Sequence, residues 1–312
     1  TPFNRFGNGP DLAGLFCGDN GIYGVKTKVS LQVFPRPPFA DYKTFQLPRK
    51  SANAAAEIMS EIRHRGIDVY DIMYMPDVLV LIGTQQGGYP MWEHLKRKRG
   101  MLFYTVEANS EQELEQKVKQ LDEIILSKKS KVLGPEISDG NFAKWHYEEQ
   151  GHWQTYHNLW GIVPGLDPLT AECFTPIGTF PELLNDIDLW DMEHKDEIDK
   201  ILEVTKFRPI SGSGPILLVD GCNVELTAGL VSFGSYHGGE MHEEIEKINH
   251  ELWKDLLARL TRHGVQWYMM GEYMSRLMVD IGAYSEEYYR FMKSVKQSVD
   301  PNMILSRGKF NL

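Results

Sequence analysis

Three cysteines in 312 residues, Cys17, Cys173 and Cys222, are too few, too scattered and odd in number to staple a fold or build a CxxC zinc site. A reducing, cytoplasmic setting is the expectation that follows. No run approaches the ~18 uninterrupted apolar residues of a membrane span, so none is expected. No basic-then-apolar leader opens the chain. Positive charge is also short: 33 Lys and Arg against 43 Asp and Glu leave a net charge of −10, with a pI near 5.5. Such a surface repels phosphate backbones and no basic stripe compensates, which argues against nucleic acid as a partner. Low-complexity tracts are missing, and 42% hydrophobic with 24% charged residues is an ordinary globular balance. The length suits about two lobes. The opening TPFNRFGNGPD has no methionine and sets glycine and proline at once, which reads as a start inside a domain.

From Gly21 the pattern is a turn and then a strand, because Val25, Val29, Leu31 and Val33 alternate with Lys26, Lys28, Ser30 and Gln32. The run PRPP at 35–38 ends it and marks a lobe boundary. A β-α-β-β-α-β succession follows: strands at Tyr42–Leu47, Val78–Ile82 and Met101–Val106, a helix capped by Ser51 and stopped at Gly66, and a helix capped by Ser110. Residues 138–170 are rich in Trp, Tyr and His without a clean period. Beyond them the pattern gives a helix at Phe180–Leu189, strands at Ile216–Val219 and Leu226–Phe233, a long helix from about Glu240 to His263, and two more helices ending at Asp300-Pro301. The fold class expected is α+β, an antiparallel sheet flanked by helices, with a helical C-terminus. The acidic run Asp186–Asp199 reads as a solvated helix face.

The stretch GPDLAGLFCGDNGIYGVKTKVSLQVFPRP, Gly9–Pro37, carries the chemistry. Gly18, Gly21 and Gly24 recur every third residue before the strand, where glycine permits positive φ and lets bare N–H groups approach a flat or anionic ligand. Taken alone this is a glycine-rich turn. It is neither a dinucleotide fingerprint nor a P-loop, since no helix or GK[ST] follows.

The same stretch resembles the last motif of the flavin-binding domain in the vanillyl-alcohol oxidase / p-cresol methylhydroxylase (PCMH-type FAD-binding) family. Asp11-Leu12, Gly14-Leu15-Phe16, Gly18, Gly21, Gly24-Val25, Thr27, Pro35 and Pro37 follow that pattern in order, and Asp19-Asn20 and Ile22-Tyr23 depart from it. At the far end, Asp300 to Lys309 is similar to the family's closing signature. The resemblance implies FAD as cofactor, with Gly18, Asp19, Asn20, Gly21, Ile22, Gly24 and Val25 along it through backbone contacts and Ser306 and Arg307 closing near the ring. It also implies three segments: 1–38 ending the FAD-binding domain, 39–265 forming the substrate (cap) domain, and 266–312 returning to the flavin. The family's N-terminal ADP-binding region has no counterpart in this sequence: it is carried by a second chain, which is then a partner, or it was removed, or it is not included.

Hydroxy-acid dehydrogenases of the family hold a metal with two histidines and a glutamate, and a histidine after that glutamate acts as base. Here Glu272 matches the glutamate and Tyr273 stands at the base position. Ser235 replaces the first histidine, with His237 and His242 nearby. Histidine and carboxylate suit zinc, but the two histidines read equally as surface or helix-start residues, and no metal is assigned. The expected catalytic residues are Tyr273, Glu272 and His237. Tyr268, Tyr273 and Arg276 are the nearest match to the tyrosine–arginine pair with which phenol-oxidising members hold a phenolate. Trp145 to Trp160 either lines a substrate pocket or packs at a lobe interface. The implied reaction is hydride removal from an alcohol, phenolic or benzylic, or 2-hydroxy-acid substrate, with an unidentified electron acceptor. The rival is a non-catalytic binding or scaffold subunit whose flavin site has degenerated.

Overall fold

A computed structural model describes residues 12–48, 51–76, 100–133, 142–145, 147–148, 166–205, 209–220, 222–233, 236–237, 240–241, 243–268 and 272–312. In chain order the elements are α1 (Ala13–Phe16), β1 (Phe39–Gln46), α2 (Ala52–His64), β2 (Asp71–Met75), β3 (Met101–Ala108), α3 (Glu111–Ser127), β4 (Lys131–Leu133), α4 (Phe142–Trp145) and β5 (Leu166–Pro176). Then come α5 (Phe180–Glu193), α6 (Lys195–Thr205), β6 (Ile210–Leu218), β7 (Asn223–Phe233), β8 (Tyr236–His237), β9 (Glu240–Met241), α7 (Glu243–Thr261), β10 (Gln266–Tyr268), α8 (Glu272–Asp280) and α9 (Glu286–Val299). A 3-10 turn at Lys309–Asn311 closes the chain. The residues divide into two compact units, Thr1–Arg36 with Trp267–Leu312, and Pro37–Gln266.

The larger unit is built on an eight-stranded sheet of order β10-β5-β7-β6-β2-β3-β1-β4, in which the described pairings are antiparallel. Its middle is joined by β2 to β6, Tyr74 opposite Ile216 and Met73 opposite Leu217. Alternation along β3 sorts the two faces. Leu102, Tyr104 and Val106 look towards the helices: Tyr104 donates to Asp122 of α3 at 3.0 Å, and Tyr74 meets Phe180 of α5 with ring centroids 6.3 Å apart. On the opposite face Met73, Met75, Met101, Phe103, Leu133 and Leu217 form one buried cluster with Ala143 of α4, and Tyr42 packs against it. The helical layer is cross-tied by charge. Asp186 of α5 accepts from Arg259 Nε of α7 at 2.7 Å and lies 2.9 Å from His263 Nε2, and Trp190 Nε1 donates to Asp255 at 2.8 Å.

Several local details differ from the sequence expectation. Ser110 caps α3 as expected, accepting from Glu113 N at 3.2 Å, while Glu113 reaches back to Asn109 N at 3.0 Å. Ser51 does not cap α2; its hydroxyl is spent on Tyr74 OH, 2.9 Å away. The expected strand Val25–Val33 is not a strand, because no partner main chain among the described residues forms a ladder with it. The eleven-residue β5, Leu166–Pro176, begins at the end of the stretch that showed no period and runs past it, and the residues alternating inward beyond it are the small Ala171, Cys173 and Thr175. The acidic run is two helices, and its Asp186 faces Arg259 rather than solvent alone. The long helix begins at Glu243, with Glu240 and Met241 in a two-stranded ribbon instead. The expected strand Val78–Ile82 lies outside the described residues.

The smaller unit is held by one buried ammonium. Lys296 of α9 is 1% exposed and donates to Ile22 O at 2.7 Å, Asp300 Oδ2 at 2.6 Å and Leu305 O at 2.7 Å. Asp300 also accepts from Leu305 N at 2.8 Å. The Lys296 hydrogen bond, helped by backbone N–H groups of the following turn, holds the Asp300 carboxyl at a pKa of about 2. That lies below its ordinary 3.8, so the pair's stabilisation is present above about pH 4 and lost as pH falls towards 2.

Two outcomes follow. Phe103→Ala, emptying a fully buried position on a central strand, costs about 3–5 kcal/mol in denaturant titration. Hydrogen-exchange protection of the α9 amides, reporting the smaller unit, falls between pH 4 and pH 2, and in Asp300→Asn it is lower at pH 7 but no longer falls across that window.

Candidate functional site

The glycine turn keeps three left-handed residues within four positions: Gly18 at φ 76°, Asn20 at φ 51° and Gly21 at φ 78°. Asp19 organises it from within. Its buried carboxylate accepts from Gly21 N at 3.3 Å and Tyr23 N at 3.2 Å, and pairs with the Lys26 ammonium. Ile22 and Tyr23 are buried beside it, so Asp19 and Ile22 turn their side chains inward and offer a ligand only their backbone. Gly18 is exposed, and nothing lies within 4 Å of where its Cβ would be; Gly24 is half-buried and the Val25 side chain is exposed.

The C-terminal segment closes on this turn. Ser306 Oγ donates to Asn20 O at 3.3 Å and Lys309 Nζ to the same oxygen at 3.1 Å. A Cβ on Gly21 would stand 3.1 Å from Ser306 Oγ, so the two chain segments meet closely only because residue 21 is glycine. The closing segment itself is strained, with Met303, Ser306, Phe310 and Asn311 all at positive φ. Contacts from two helices hold it there. Arg276 Nε of α8 donates to Gly308 O at 2.7 Å, Phe310 N donates to Ser275 Oγ at 3.1 Å, and Tyr289 OH donates to Phe310 O at 2.8 Å. A Cβ on Gly308, at φ 83°, would collide with the Arg276 guanidinium. Arg307 is exposed and bonded only within its own loop in the contacts described, Nε to Met303 O at 3.1 Å.

Thus Gly18 to Val25 and Ser306, 286 residues apart between Asn20 and Ser306, are brought together. The backbone puts Glu272 and Tyr273 in the first turn of α8, the helix whose Ser275 and Arg276 hold the closing segment; their side chains lie outside what is described, as does that of Tyr268. His237 belongs to the larger unit, paired with Glu240 in the β8–β9 ribbon, and its side chain, Ser235 and His242 also lie outside. Among the described residues no group of three or more His, Cys, Asp and Glu stands together as a metal site.

Of the aromatic run, Tyr147 is described. It donates to Glu107 at 2.6 Å and stacks edge-on with Tyr70 at 5.3 Å, while Tyr42 donates to Glu148 at 2.7 Å. Burial first, and the bond to Glu148 second, push the Tyr42 phenol up to about 12. Residues 149–160 of that run lie outside the described residues. Lys296 and Lys309 were not legible as site residues. For Lys309 the signal was its place in the closing signature Asp300–Lys309, and for Lys296 it was the i, i+4 spacing to Asp300, which surface ion pairs share.

The turn fits an anionic, planar cofactor. Its left-handed glycines present main chain rather than side chain, with the Lys309 ammonium on Asn20 O. Residues 42–190 match the family model of FAD linked oxidases, C-terminal domain. In solved structures, 4-ethylphenol oxidase from Gulosibacter chungangensis is similar over 99% of this chain and 60% of its own, at TM-score 0.77 and 12% identity. p-Cresol methylhydroxylase is similar over 99% and 59%, at TM-score 0.71 and 13% identity, and alkyldihydroxyacetonephosphate synthase over 98% and 50%, at 0.58 and 14%. The chain therefore spans about three fifths of the first two and half of the third. Among the described residues no helix is long and apolar enough to cross a membrane. Residues 42–190, just under half of the chain, thus match the C-terminal domain family of the FAD-linked oxidases, whose cofactor is FAD, and the chain has the fold of the C-terminal portion of PCMH-type flavoproteins.

Proposed function

We propose that this chain is the substrate-binding and C-terminal portion of an FAD-dependent oxidoreductase acting on CH–OH or benzylic CH groups, with a phenolic or benzylic compound as the favoured substrate class. One observation carries the reading: two motifs from opposite ends of the chain, Gly18–Val25 and Asp300–Lys309, are bonded to each other through Asn20, Ile22, Lys296, Ser306 and Lys309. Strained backbone of this kind clusters at ligand sites, and here it is the closing segment that meets the glycine turn. The phenolic class is favoured because Tyr273 stands where hydroxy-acid members carry a histidine, and because two of the similar proteins are named for 4-ethylphenol and p-cresol.

Bound FAD supplies the hydride acceptor. The chain's part is to bind and to move a proton. Gly18, Asn20, Gly21 and Gly24 meet the cofactor with backbone N–H groups, Asp19 and Ile22 hold the turn's shape from beneath, and Ser306 and Arg307 close over it. Tyr273 accepts the substrate hydroxyl proton at its phenolic oxygen. An ordinary tyrosine titrates near 10, so it needs a cation beside it; Arg276, one turn along α8, is that candidate. Glu272 orients the substrate. An ADP-binding region on a further polypeptide segment, in the same polypeptide or in a second chain, completes the cofactor site, in keeping with the greater length of the similar structures. Three free thiols, Cys17, Cys173 and Cys222, support a cytoplasmic setting.

The first experiment is the visible absorption spectrum of natively purified protein with a denaturing gel of the same fraction. Flavin bands alongside a second or longer polypeptide are expected, and colourless protein from a complete assembly favours the binding-subunit reading instead. Gly21→Val, which drives a side chain into Ser306, removes flavin binding, and a fully flavin-loaded variant would sink the assignment of the turn. Tyr273→Phe keeps the flavin spectrum and lowers kcat by roughly 10²–10³. Chelators leave activity unchanged; loss of activity together with bound zinc or manganese would point to hydroxy-acid chemistry.

A further inference from the structure

The turn that meets the closing segment contains an Asn-Gly pair. Asn20 at φ 51° and Gly21 at φ 78° are both left-handed, a region that glycine enters freely and asparagine more readily than most residues. Glycine is required at 21 for a second reason, since a Cβ there would stand 3.1 Å from Ser306 Oγ. Backbone shape therefore selects a dipeptide whose main chain is chemically vulnerable. A glycine amide nitrogen has no side chain beside it to shield it, and it can attack the side-chain carbonyl of the asparagine before it. Gly21 N bonds to Asn20 Cγ while the Cγ–Nδ2 bond breaks, and the Gly21 amide proton ends on Nδ2, which departs as ammonia. Water then opens the succinimide at either carbonyl. The product is aspartate, or isoaspartate with the side-chain methylene inserted into the main chain.

The folded turn keeps the reacting groups apart. The attack swings the Asn20–Gly21 peptide about the Asn20 ψ bond, out of the left-handed well, until its nitrogen faces the side-chain carbonyl. That peptide is clamped at both of its polar atoms. Its N–H donates to Asp19 Oδ1 at 3.3 Å, and its oxygen accepts from Ser306 Oγ at 3.3 Å and from Lys309 Nζ at 3.1 Å. The side-chain amide is turned back along the chain, Nδ2 donating to Gly18 O at 3.4 Å. Asn20 and Gly21 are only half-buried, so it is the clamp, rather than exclusion of water, that withholds the reaction. We propose that Asn20–Gly21 is a deamidation site held shut by the closing segment: once Ser306 and Lys309 leave Asn20 O, the pair converts irreversibly to aspartate or isoaspartate. Either product sets a second carboxylate beside the buried Asp19, where like charges repel. Isoaspartate also lengthens the main chain at the residue whose carbonyl the closing segment binds, so a turn that has stayed open does not close again.

Ageing of the natively purified protein in neutral buffer tests this, beside the same protein unfolded in guanidinium chloride, with digestion and mass spectrometry at intervals. Fragmentation assigns the amide-to-acid mass gain to Asn20, because Asn8-Gly9 falls in the same tryptic peptide. Asn20 is expected to convert in the unfolded chain, and at least ~10-fold more slowly in the folded protein, where the turn must first open. Lys309→Ala, which removes one hydrogen bond of the clamp, raises the folded rate roughly fivefold. Ser306→Ala raises it in the same direction, and unchanged melting of the larger unit shows that both variants are folded. Equal rates in folded and unfolded protein overturn the proposal, as does an unfolded chain that keeps Asn20 intact. A folded rate that neither Lys309→Ala nor Ser306→Ala changes overturns the clamp. The readout is a mass, and the flavin absorbance is read on the same sample, so failure of the clamp and failure of the FAD reading give different results.

Discussion

A single buried ammonium decides whether the smaller unit exists as a site at all. Withdrawing Lys296 from water is costly unless each of its three N–H donors finds a partner, and all three do. The three partners come from three different places: the end of the glycine turn, the C-terminal cap of α9, and the residue before Ser306. Geometry at the turn and geometry at the closing loop are therefore one variable. Asp300 is the only anion among these partners, and it also takes Leu305 N, so the cap, the loop and the turn share one network with little slack.

The larger unit provides a different kind of order. Its sheet is fixed by period-2 packing on both faces and by a helical layer whose α5 and α7 are crossed by Arg259, which reaches Asp186 and Glu193 together. The Arg259 guanidinium, with His263 behind it, holds the Asp186 carboxyl below its ordinary range. These are structural ties. They are separate from the constellation around Asn20 and Ser306, where strained backbone is concentrated in the closing segment.

The sequence made the strongly periodic parts legible. The helix from Ser110 and the strand at Met101 read clearly because apolar spacing and a capping serine agree there. The glycine turn and the closing signature read clearly because their residue types are fixed by backbone shape. Three features stayed hidden for physical reasons. β5 buries Ala171, Cys173 and Thr175, which an apolar count passes over. Ser51 has the identity of a cap but a stronger call on its hydroxyl from Tyr74. Lys296 is an ordinary helix-surface residue by type, and only the tertiary arrangement makes it a buried one. Conversely, the alternation at Val25–Val33 predicts a strand that the structure does not form, because alternation cannot supply the neighbour that a ladder requires.

The smaller unit is discontinuous: its two parts are separated by the whole of Pro37–Gln266. Closing so long an intervening loop carries an entropic cost that grows with the logarithm of its length, unless the intervening residues have already condensed. The larger unit, being one continuous stretch, can condense first as the chain leaves the ribosome. The glycine turn precedes the larger unit in the chain, while Lys296, Ser306 and Lys309 follow it, 274 to 289 residues after their partners Ile22 and Asn20. During synthesis the turn therefore waits without the groups that shape it until the larger unit has been made, and a nascent chain can hold that unit folded while the turn is still unformed.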